Sequence, residues 1–349
     1  MKKWKRDYGC LVLKNSDPNN PNSHPNYPNE SIRCIRMSFV DWDRVYMLNI
    51  VGKRKIFYTF SALLIGAGIF SIAFWGLHFG IDFKGGSLIE IEFARIAPDV
   101  QAVKVNLVGL NLGDAAVQPI GEKSLIIRMK DLDENAHQQV LQSLKLMGDS
   151  EEKKFDSVGP VVGEELKSRA YLAIITVLFL IVIYIAFAFR KVSRPVASWK
   201  YGVAAIIALF HDVFIPTGIF SVLGHYLGVE IDLLFVTGLL TILGFSVHDT
   251  IVVFDRIREN LRKGAGKSFE ETVNVSINQT ITRSINTSLT VFLALLAIYI
   301  FGGASIKYFA LLLMLGVFFG TYSSIFVASS ILVTWEAWRQ KRIAQRLTR

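Results

Sequence analysis

The chain has 349 residues, of which 52% are hydrophobic and 19% charged, and its formal net charge is +9. A soluble domain carries about 25% charged residues, so this composition argues against an ordinary soluble protein of two or three domains. Two cysteines in such a length exclude a disulfide-stapled scaffold. The positive charge fits nucleic-acid binding, a membrane surface or the loops of a membrane protein, and its distribution must decide among them.

Residues 1–40 form an extension that is rich in Asn and Pro. The run 15–31 alone holds six Asn and four Pro, a composition that cannot bury a core, so we expect this extension to be disordered. Both cysteines, Cys10 and Cys34, lie here, and no disulfide is expected between them on the cytoplasmic side of a membrane. Translation could start at Met1 or at Met37, and no secretory signal peptide is apparent.

Six stretches are apolar enough to cross a bilayer, which takes about 20 mostly apolar residues. The stretch 170–189 carries no charged residue, and its five companions argue against a buried helix of a soluble core. The sequence therefore predicts an α-helical polytopic membrane protein with six transmembrane helices. The six stretches are 56–79, 170–189, 201–223, 233–254, 285–301 and 308–334.

The basic residues divide the loops into two classes. Lys and Arg concentrate in the loops 190–200 and 255–284 and in the tail 336–349, whereas the loops 224–231 and 302–307 hold a single Lys between them. Loops rich in Lys and Arg face the cytoplasm. The sequence therefore predicts cytoplasmic termini, with a cytoplasmic lead-in and first helix over 41–79 and five further helices over 169–335. The net charge of +9 therefore indicates the membrane topology of the chain rather than binding to nucleic acid.

Residues 80–168 form the one sizeable soluble region, which the loop charges place on the extracytoplasmic side. Alternating and helical apolar spacings predict strands and helices in the order βαββαβ, which is typical of a ferredoxin-like α+β domain. A further amphipathic helix is predicted over 268–281, with Ser268 and Glu271 as a capping box. The predicted strands are 87–94, 115–120, 124–129 and 155–162, and the predicted helices are 98–110 and 134–147.

Several ionisable residues fall inside the apolar stretches, where they are costly and usually face the interior of a helix bundle. Asp249 lies in the fourth stretch, and a carboxylic acid there can either handle protons or hold a static hydrogen bond. Its neighbour His248 is a candidate relay or a packing histidine. His211 and Asp212 lie together in the third stretch, where hydrogen-bonded packing and a relay role are again the alternatives.

Two more features mark the borders of the apolar stretches. Arg283 opens the fifth stretch, where a positive charge opposes the helix dipole, so it either pairs with an anion such as Asp249 or follows the positive-inside rule. Asp82 and the pair Gly85-Gly86 follow the first stretch, and glycine there permits conformations that other residues avoid. We find no nucleotide-binding loop, metal-binding spacing or catalytic nucleophile motif, and we therefore expect neither an enzyme nor a bound cofactor or metal.

Together these stretches resemble the SecF family, the smaller membrane subunits of SecDF protein-export complexes in the resistance–nodulation–division superfamily. The resemblance covers about residues 42–335 and includes GIDFKGGSLIEIEF at 80–93 and GFSVHDTIVVFDRIREN at 244–260. The other matching stretches are 158–170, 209–224, 277–288 and 301–329.

The resemblance implies a half-transporter in the bacterial cytoplasmic membrane that uses the proton-motive force with SecD. It would promote late steps of export of unfolded polypeptide through the SecYEG channel, with protons as the coupling ion and lipids around it. Asp249 would be the family's transmembrane carboxylate and Arg283 its membrane-border arginine. The remaining candidates, for motif or hinge roles, are Asp82, Gly85, Gly86, Pro160 and Gly163.

The chain departs from the family pattern at His248, which stands where Asn is common, and in its extension. It also lacks a second six-helix half and the larger outer domain of SecD, which implies a SecD partner. Two alternatives stay open at this point. A proton-coupled exporter of small molecules or lipids would usually carry a larger outer domain, and a purely structural scaffold would leave Asp249 without a reason to lie in the membrane.

Overall fold

The computed structural model describes residues 48–110, 112, 115–188 and 197–347. The predictions for the extension 1–40, including Cys10, Cys34 and Met37, and for most of the 190–200 loop lie outside the described residues. Six helical stretches are long and apolar enough to cross a membrane, which confirms the predicted number and a multi-pass membrane protein. These stretches are Val51–Trp75, Pro160–Ile185, Trp199–Leu227, Leu233–Lys263, Phe269–Phe301 and Ser305–Arg346.

The described part of the chain is mostly helical, with one small sheet between the first and second long helices. A π-helical turn at Ser323–Ala328 joins the last two helices into one continuous rod. In chain order the elements are α1 (Arg54–Trp75), α2 (Ile81–Lys84), β1 (Gly86–Phe93), α3 (Val100–Val108), β2 (Ala116–Ile120), β3 (Ser124–Met129), α4 (Glu134–Met147), β4 (Ser150–Val158), α5 (Pro160–Ala188), α6 (Ser198–Leu227), α7 (Leu233–Lys263), α8 (Phe269–Phe301), α9 (Ala304–Tyr322) and α10 (Ser329–Leu347).

Several helix boundaries differ from the prediction, and three of the differences have a clear physical cause. Helix α1 ends at Trp75 rather than at residue 79, because Gly76 adopts φ +72° and turns the chain. Helix α5 starts at Pro160, well before the apolar run, because proline is well suited to a first helical turn. The predicted surface helix and fifth span form one helix, α8, whose Glu271 amide donates to the Ser268 hydroxyl at 3.1 Å, as the capping pattern predicts.

The sheet has the strand order β2-β3-β1-β4 and is antiparallel throughout. Helices α3 and α4 cover one face, where alternate β1 residues Ile89, Ile91 and Phe93 join Leu107 and Leu144 in a buried core. The prediction of the last strand was wrong by about five residues at its start and four at its end. Strand β4 is an edge strand with few apolar residues, so its first half lacks an apolar signal, and its end is set by the proline that starts α5.

Helices α1 and α6 touch backbone to backbone. A Cβ added at Gly218 would lie 2.3 Å from the Cα of Gly68, so neither helix could come this close with a larger residue at the crossing. Ser71 strengthens the contact by donating to the Gly218 carbonyl at 2.8 Å, and Ser221 donates back to the Ser71 carbonyl at 3.0 Å. The crossing fixes α6, which carries one of the two membrane carboxylates.

The sheet face without helices lies against the ends of the membrane helices on one side. Arg128 of β3 forms an ion pair with Glu230 of the α6–α7 loop, with 2.8 Å between Nε and Oε2. Gln118 of β2 donates to the Leu227 carbonyl at 2.7 Å, and Ser305 of α9 donates to Glu90 at 3.0 Å. These polar contacts hold the domain on the membrane part.

Glu230 makes the stability of the folded chain depend on pH. Burial raises the pKa of Glu230, and nearby Asp232 adds to the shift, while Arg128 and Lys84 oppose it. Because the folded chain holds this proton more tightly than the unfolded chain, the contribution is fully present at acid pH and is lost as pH rises through the raised pKa.

We therefore expect the melting temperature of the wild type to fall, relative to Glu230→Gln, as the pH rises from about 4 to about 7. The measurement is thermal unfolding of the purified full chain in detergent at several pH values. Parallel pH profiles for the two chains would contradict the expectation.

Candidate functional site

A fully buried carboxylate lies in the middle of α6. Oδ2 of Asp212 accepts hydrogen bonds from Ser246 at 2.5 Å and from Ser323 at 2.7 Å. Its Oδ1 lies 2.8 Å from Nδ1 of His211, the preceding residue, and the His211 ring stacks on Tyr322. His211 and Asp212, the pair predicted from the sequence, are thus hydrogen-bonded to each other within the bundle. Packing accounts for this arrangement, and a relay role stays a prediction.

A second buried carboxylate, Asp249, lies one turn along α7 from Ser246. Ser284 of α8 donates to its Oδ1 at 2.6 Å, whereas its Oδ2 is buried with no hydrogen-bond partner among the described residues. Positions three apart on a helix share a face and lie about 4.5 Å apart along its axis. Ser246, which binds Asp212, and Asp249 therefore point to the same side of α7.

The π-helical turn brings hydroxyls to the neighbourhood of both carboxylates. Ser323 binds Asp212, and the next residue, Ser324, lies 2.7 Å from the hydroxyl of Thr250, which follows Asp249. Ser324 also donates to the carbonyl of Ser246 at 3.4 Å. π-helical turns often occur at functional sites, because the inserted residue re-aims the side chains around it. Here two consecutive serines lie between α6 and α7.

The cluster combines two carboxyl groups with hydroxyls that can both donate and accept a hydrogen bond. A hydroxyl can receive a proton on one side and release one on the other by rotating, so such a cluster can pass protons as well as hold the helices. Charged carboxyl groups are costly inside a membrane, so each of the two needs hydrogen-bond partners or a functional reason to lie there. Among the residues that the structure describes, no group of three or more His, Cys, Asp or Glu side chains could hold a metal ion.

Two predicted residues lie outside this cluster. His248 is exposed on α7 and points about 100° away from Asp249, and Arg283 is exposed on α8. Within the described ranges Arg283 forms no ion pair with Asp249, whose hydrogen bond comes instead from the neighbouring Ser284. Arg283 lines a cleft near the basic end of α7 together with Arg256 and other residues. The role of Arg283 as a positive-inside residue stays a prediction.

The glycine pair after α2 lies where the domain joins the membrane part. Gly85 has φ +75° and ψ 163°, a region that is essentially restricted to glycine, and its added Cβ would lie 2.8 Å from the Cα of Pro160. Gly163 also lies against Gly85, because a Cβ added at Gly163 would lie 2.9 Å from the Gly85 amide nitrogen. Asp82 accepts a hydrogen bond at 2.8 Å from the Leu233 amide at the start of α7. Four of the motif candidates thus form one tight junction, and Gly86 follows it with φ +129°.

Comparison with known proteins identifies the family. Residues 138–338 match the family model of the protein export membrane protein SecD/SecF, C-terminal, and residues 70–95 match the SecD/SecF GG motif. The protein translocase subunit SecF of Thermobaculum terrenum is 47% identical over 305 residues, which cover 83% of this chain and 94% of that protein. The chain belongs to the SecF family.

A further SecF subunit and a solved structure agree with the assignment. The SecF subunit of Anaerolinea thermophila is 44% identical and covers 84% of this chain and 96% of its own length. The crystal structure of SecDF, a translocon-associated membrane protein from Thermus thermophilus, matches with a TM-score of 0.73 and 32% identity. That match covers 83% of this chain but 39% of the SecDF chain, which is much longer. The matched regions contain both membrane carboxylates and the glycine junction.

The sequence did not single out the hydroxyls that bind the carboxylates. Ser284, Ser323 and Ser324 are small polar residues of a kind common in membrane helices, and the sequence alone does not show which of them meet. One usable signal is the run TYSSIFVASS at 321–330, which is unusually polar for the middle of an apolar stretch. The Arg128–Glu230 contact was likewise missed, because it joins two regions about 100 residues apart.

Proposed function

We propose that this chain is a subunit of a Sec protein translocase and uses the proton-motive force, together with SecD, to promote late steps of polypeptide export. The observation that carries the proposal is Asp249, a buried carboxylic acid in a membrane helix with one oxygen free of any described partner. A static structural carboxyl group would be expected to have both oxygens bound. The free oxygen is where a proton can arrive and leave.

Proton passage would use the hydroxyl cluster around the two carboxyl groups. Ser246 donates to Asp212, and Ser324 bonds both to the Thr250 hydroxyl and to the Ser246 carbonyl. Thr250 directly follows Asp249 in α7. One elementary charge that crosses a membrane potential of 100 mV releases about 2.3 kcal/mol. This energy is enough to drive a change between two conformations that differ by a few kcal/mol.

Coupling to the folded domain would run along α7. Asp249 lies 16 residues from Leu233, about 24 Å along the helix axis. The Leu233 amide donates a hydrogen bond to Asp82, which belongs to the glycine junction that leads into β1. A shift of α7 on protonation of Asp249 would therefore move the segment that enters the sheet.

The proposed orientation follows from the two ends of the bundle. Basic residues crowd the end of α7 and α10, and Lys267 lies in the loop after α7, while the folded domain lies at the opposite ends of the helices. The positive-inside rule then places the termini in the cytoplasm and the domain on the extracytoplasmic face of a bacterial cytoplasmic membrane. The order βαββαβ and the sheet order support a ferredoxin-like arrangement of that domain.

A SecD partner would cover the exposed polar face of α7 and α8. His248 of α7 and Asn286 of α8 are exposed at the depth of the membrane, where polar side chains normally face protein or water. The matched SecDF chain has ample length for a second half beside the part that this chain covers. SecYEG and the emerging unfolded polypeptide would be further partners on the outer side, and lipids would surround the rest.

Gly244 offers a sharp test of this interface. It lies on the same exposed face of α7, and a Cβ added there meets no atom within 4 Å. We expect Gly244→Trp to leave the chain itself folded and to abolish copurification with coexpressed SecD, because the ring would occupy the partner's place. Gly66→Trp on α1 is the matched control, since Gly66 is also exposed and free of neighbours. Equal recovery of SecD with both variants would contradict the assigned face.

Complementation tests the function as a whole. In bacterial cells depleted of their own SecF, coexpression of this chain with its SecD is expected to restore export of a secreted reporter protein. Restoration of drug resistance or lipid export without restored protein export would instead support the transporter alternative.

A further inference from the structure

We propose that the chain holds a phospholipid in a groove between α5, α6 and the start of α7, with the lipid phosphate at Lys167. The groove has a volume of about 170 Å³ and lies in the half of the membrane nearest the folded domain. Its floor is formed by Phe83, Phe235 and Leu239, all of which are buried. The proposal concerns this groove alone and does not depend on proton coupling or export.

The walls of the groove are almost entirely apolar. Ile174 of α5 faces Val213 and Phe214 of α6, and Leu77 and Phe79 close the end near the domain. An empty apolar groove loses dispersion contacts along its whole lining, and water gains nothing by entering it. An acyl chain restores those contacts, and α5, most of whose membrane window is exposed, leaves the groove open to lipid.

A single cation lies at the mouth of the groove. The Lys167 ammonium lies 5.5 Å from the centroid of the Phe79 ring and forms no ion pair with any described residue. It precedes the uncharged run of α5 by about one turn, which places it at the level of lipid headgroups. Arg169, two residues later, is instead held by Glu165 at 2.6 Å.

The combination of a free cation above an apolar groove specifies an amphiphile with an anionic head and a hydrocarbon tail. In a bilayer that molecule is a phospholipid, and an anionic headgroup matches the lone ammonium better than a zwitterionic one. Tyr171, which also lines the groove and is half exposed, lies at the interface where amphipathic rings gather. A bound lipid would thereby fill the space between α5 and the rest of the bundle.

The experiment uses the purified full chain in vesicles of phosphatidylethanolamine that contain phosphatidylglycerol with a photoreactive group on its acyl chain. After illumination, labelled peptides are mapped by mass spectrometry. We expect labelling to concentrate on the groove residues of α5 and α6. Lys167→Gln should lower that labelling about fivefold, the loss expected for one Lys beside an anionic headgroup, and Ile174→Trp should remove it by filling the groove.

Two matched variants serve as controls. Arg169→Gln removes a neighbouring cation that is already paired, and Leu180→Trp adds the same ring to an exposed position of α5. Both should retain groove labelling. Uniform labelling of all lipid-facing helices, or labelling that is unchanged in Lys167→Gln, would overturn the proposal. Lys167→Gln keeps a polar side chain at a partly exposed position, so this variant decides the question even if Ile174→Trp does not fold.

Discussion

Replacing Asp249 with Asn is expected to reduce export of a secreted reporter to the level of cells that lack the chain. Asn has nearly the same shape, and its side-chain oxygen can still accept the hydrogen bond that Ser284 donates to Asp249. The variant therefore keeps the packing of α7 against α8 but cannot take up or release a proton. The measurement is reporter export in cells depleted of their own SecF, with the variant coexpressed with SecD.

Asp255→Asn is the matched control for this prediction. Asp255 lies on the same helix but is largely exposed near the basic end, with 3.8 Å between its Oδ1 and the guanidinium of Arg258. Removal of an exposed, weakly held charge should leave export close to the wild-type level. Normal export with Asp249→Asn, in a chain shown to be present in the membrane, would contradict proton handling at Asp249.

Replacing Gly85 with Ala is expected to destabilise the junction between the domain and the membrane part and to abolish function. The positive φ of Gly85, with its extended ψ, costs a non-glycine residue about 1–3 kcal/mol. The new Cβ would also press on the backbone of Pro160 at 2.8 Å, and overpacking of this kind costs a further ~1–3 kcal/mol. The measurement is the thermal unfolding temperature of the purified chain, together with the reporter assay.

Gly121→Ala separates the two causes. Gly121 also has a positive φ, +64°, in the turn between β2 and β3, but its added Cβ meets no atom within 4 Å. Gly121→Ala should therefore lower the free energy of unfolding only by the cost of a positive φ for alanine, about 1–2 kcal/mol. The variant should keep its export activity. Equal destabilisation by the two substitutions would show that the contact between Gly85 and Pro160 is not important.

The membrane fold was predictable because its signal is local. Each long apolar run identifies a helix without knowledge of its neighbours, and all six were found. The boundaries were less predictable where a single residue overrides the run, as Gly76 does at the end of α1 and Pro160 at the start of α5. Strand β4 was misplaced because its pairing with β1, rather than its own apolar content, makes it a strand.

The site was predictable only in part. Asp212 and Asp249 were identifiable because charges are rare in apolar segments, so each one requires an explanation. Their partners were not, because Ser284 and Ser323 acquire importance only through the way in which α8 and the π-helical turn meet α6 and α7. The orientation of His248 likewise depends on which face of α7 the other helices cover.

The central claim is that Asp249 conducts protons, and proton flux into vesicles measures it directly. The wild-type chain is reconstituted with SecD in vesicles that contain a pH-sensitive dye, and a membrane potential is imposed. We predict a proton flux that is present with the wild type and with Asp255→Asn, and that falls to the level of protein-free vesicles with Asp249→Asn. A flux that is equal for the wild type and Asp249→Asn would contradict the account.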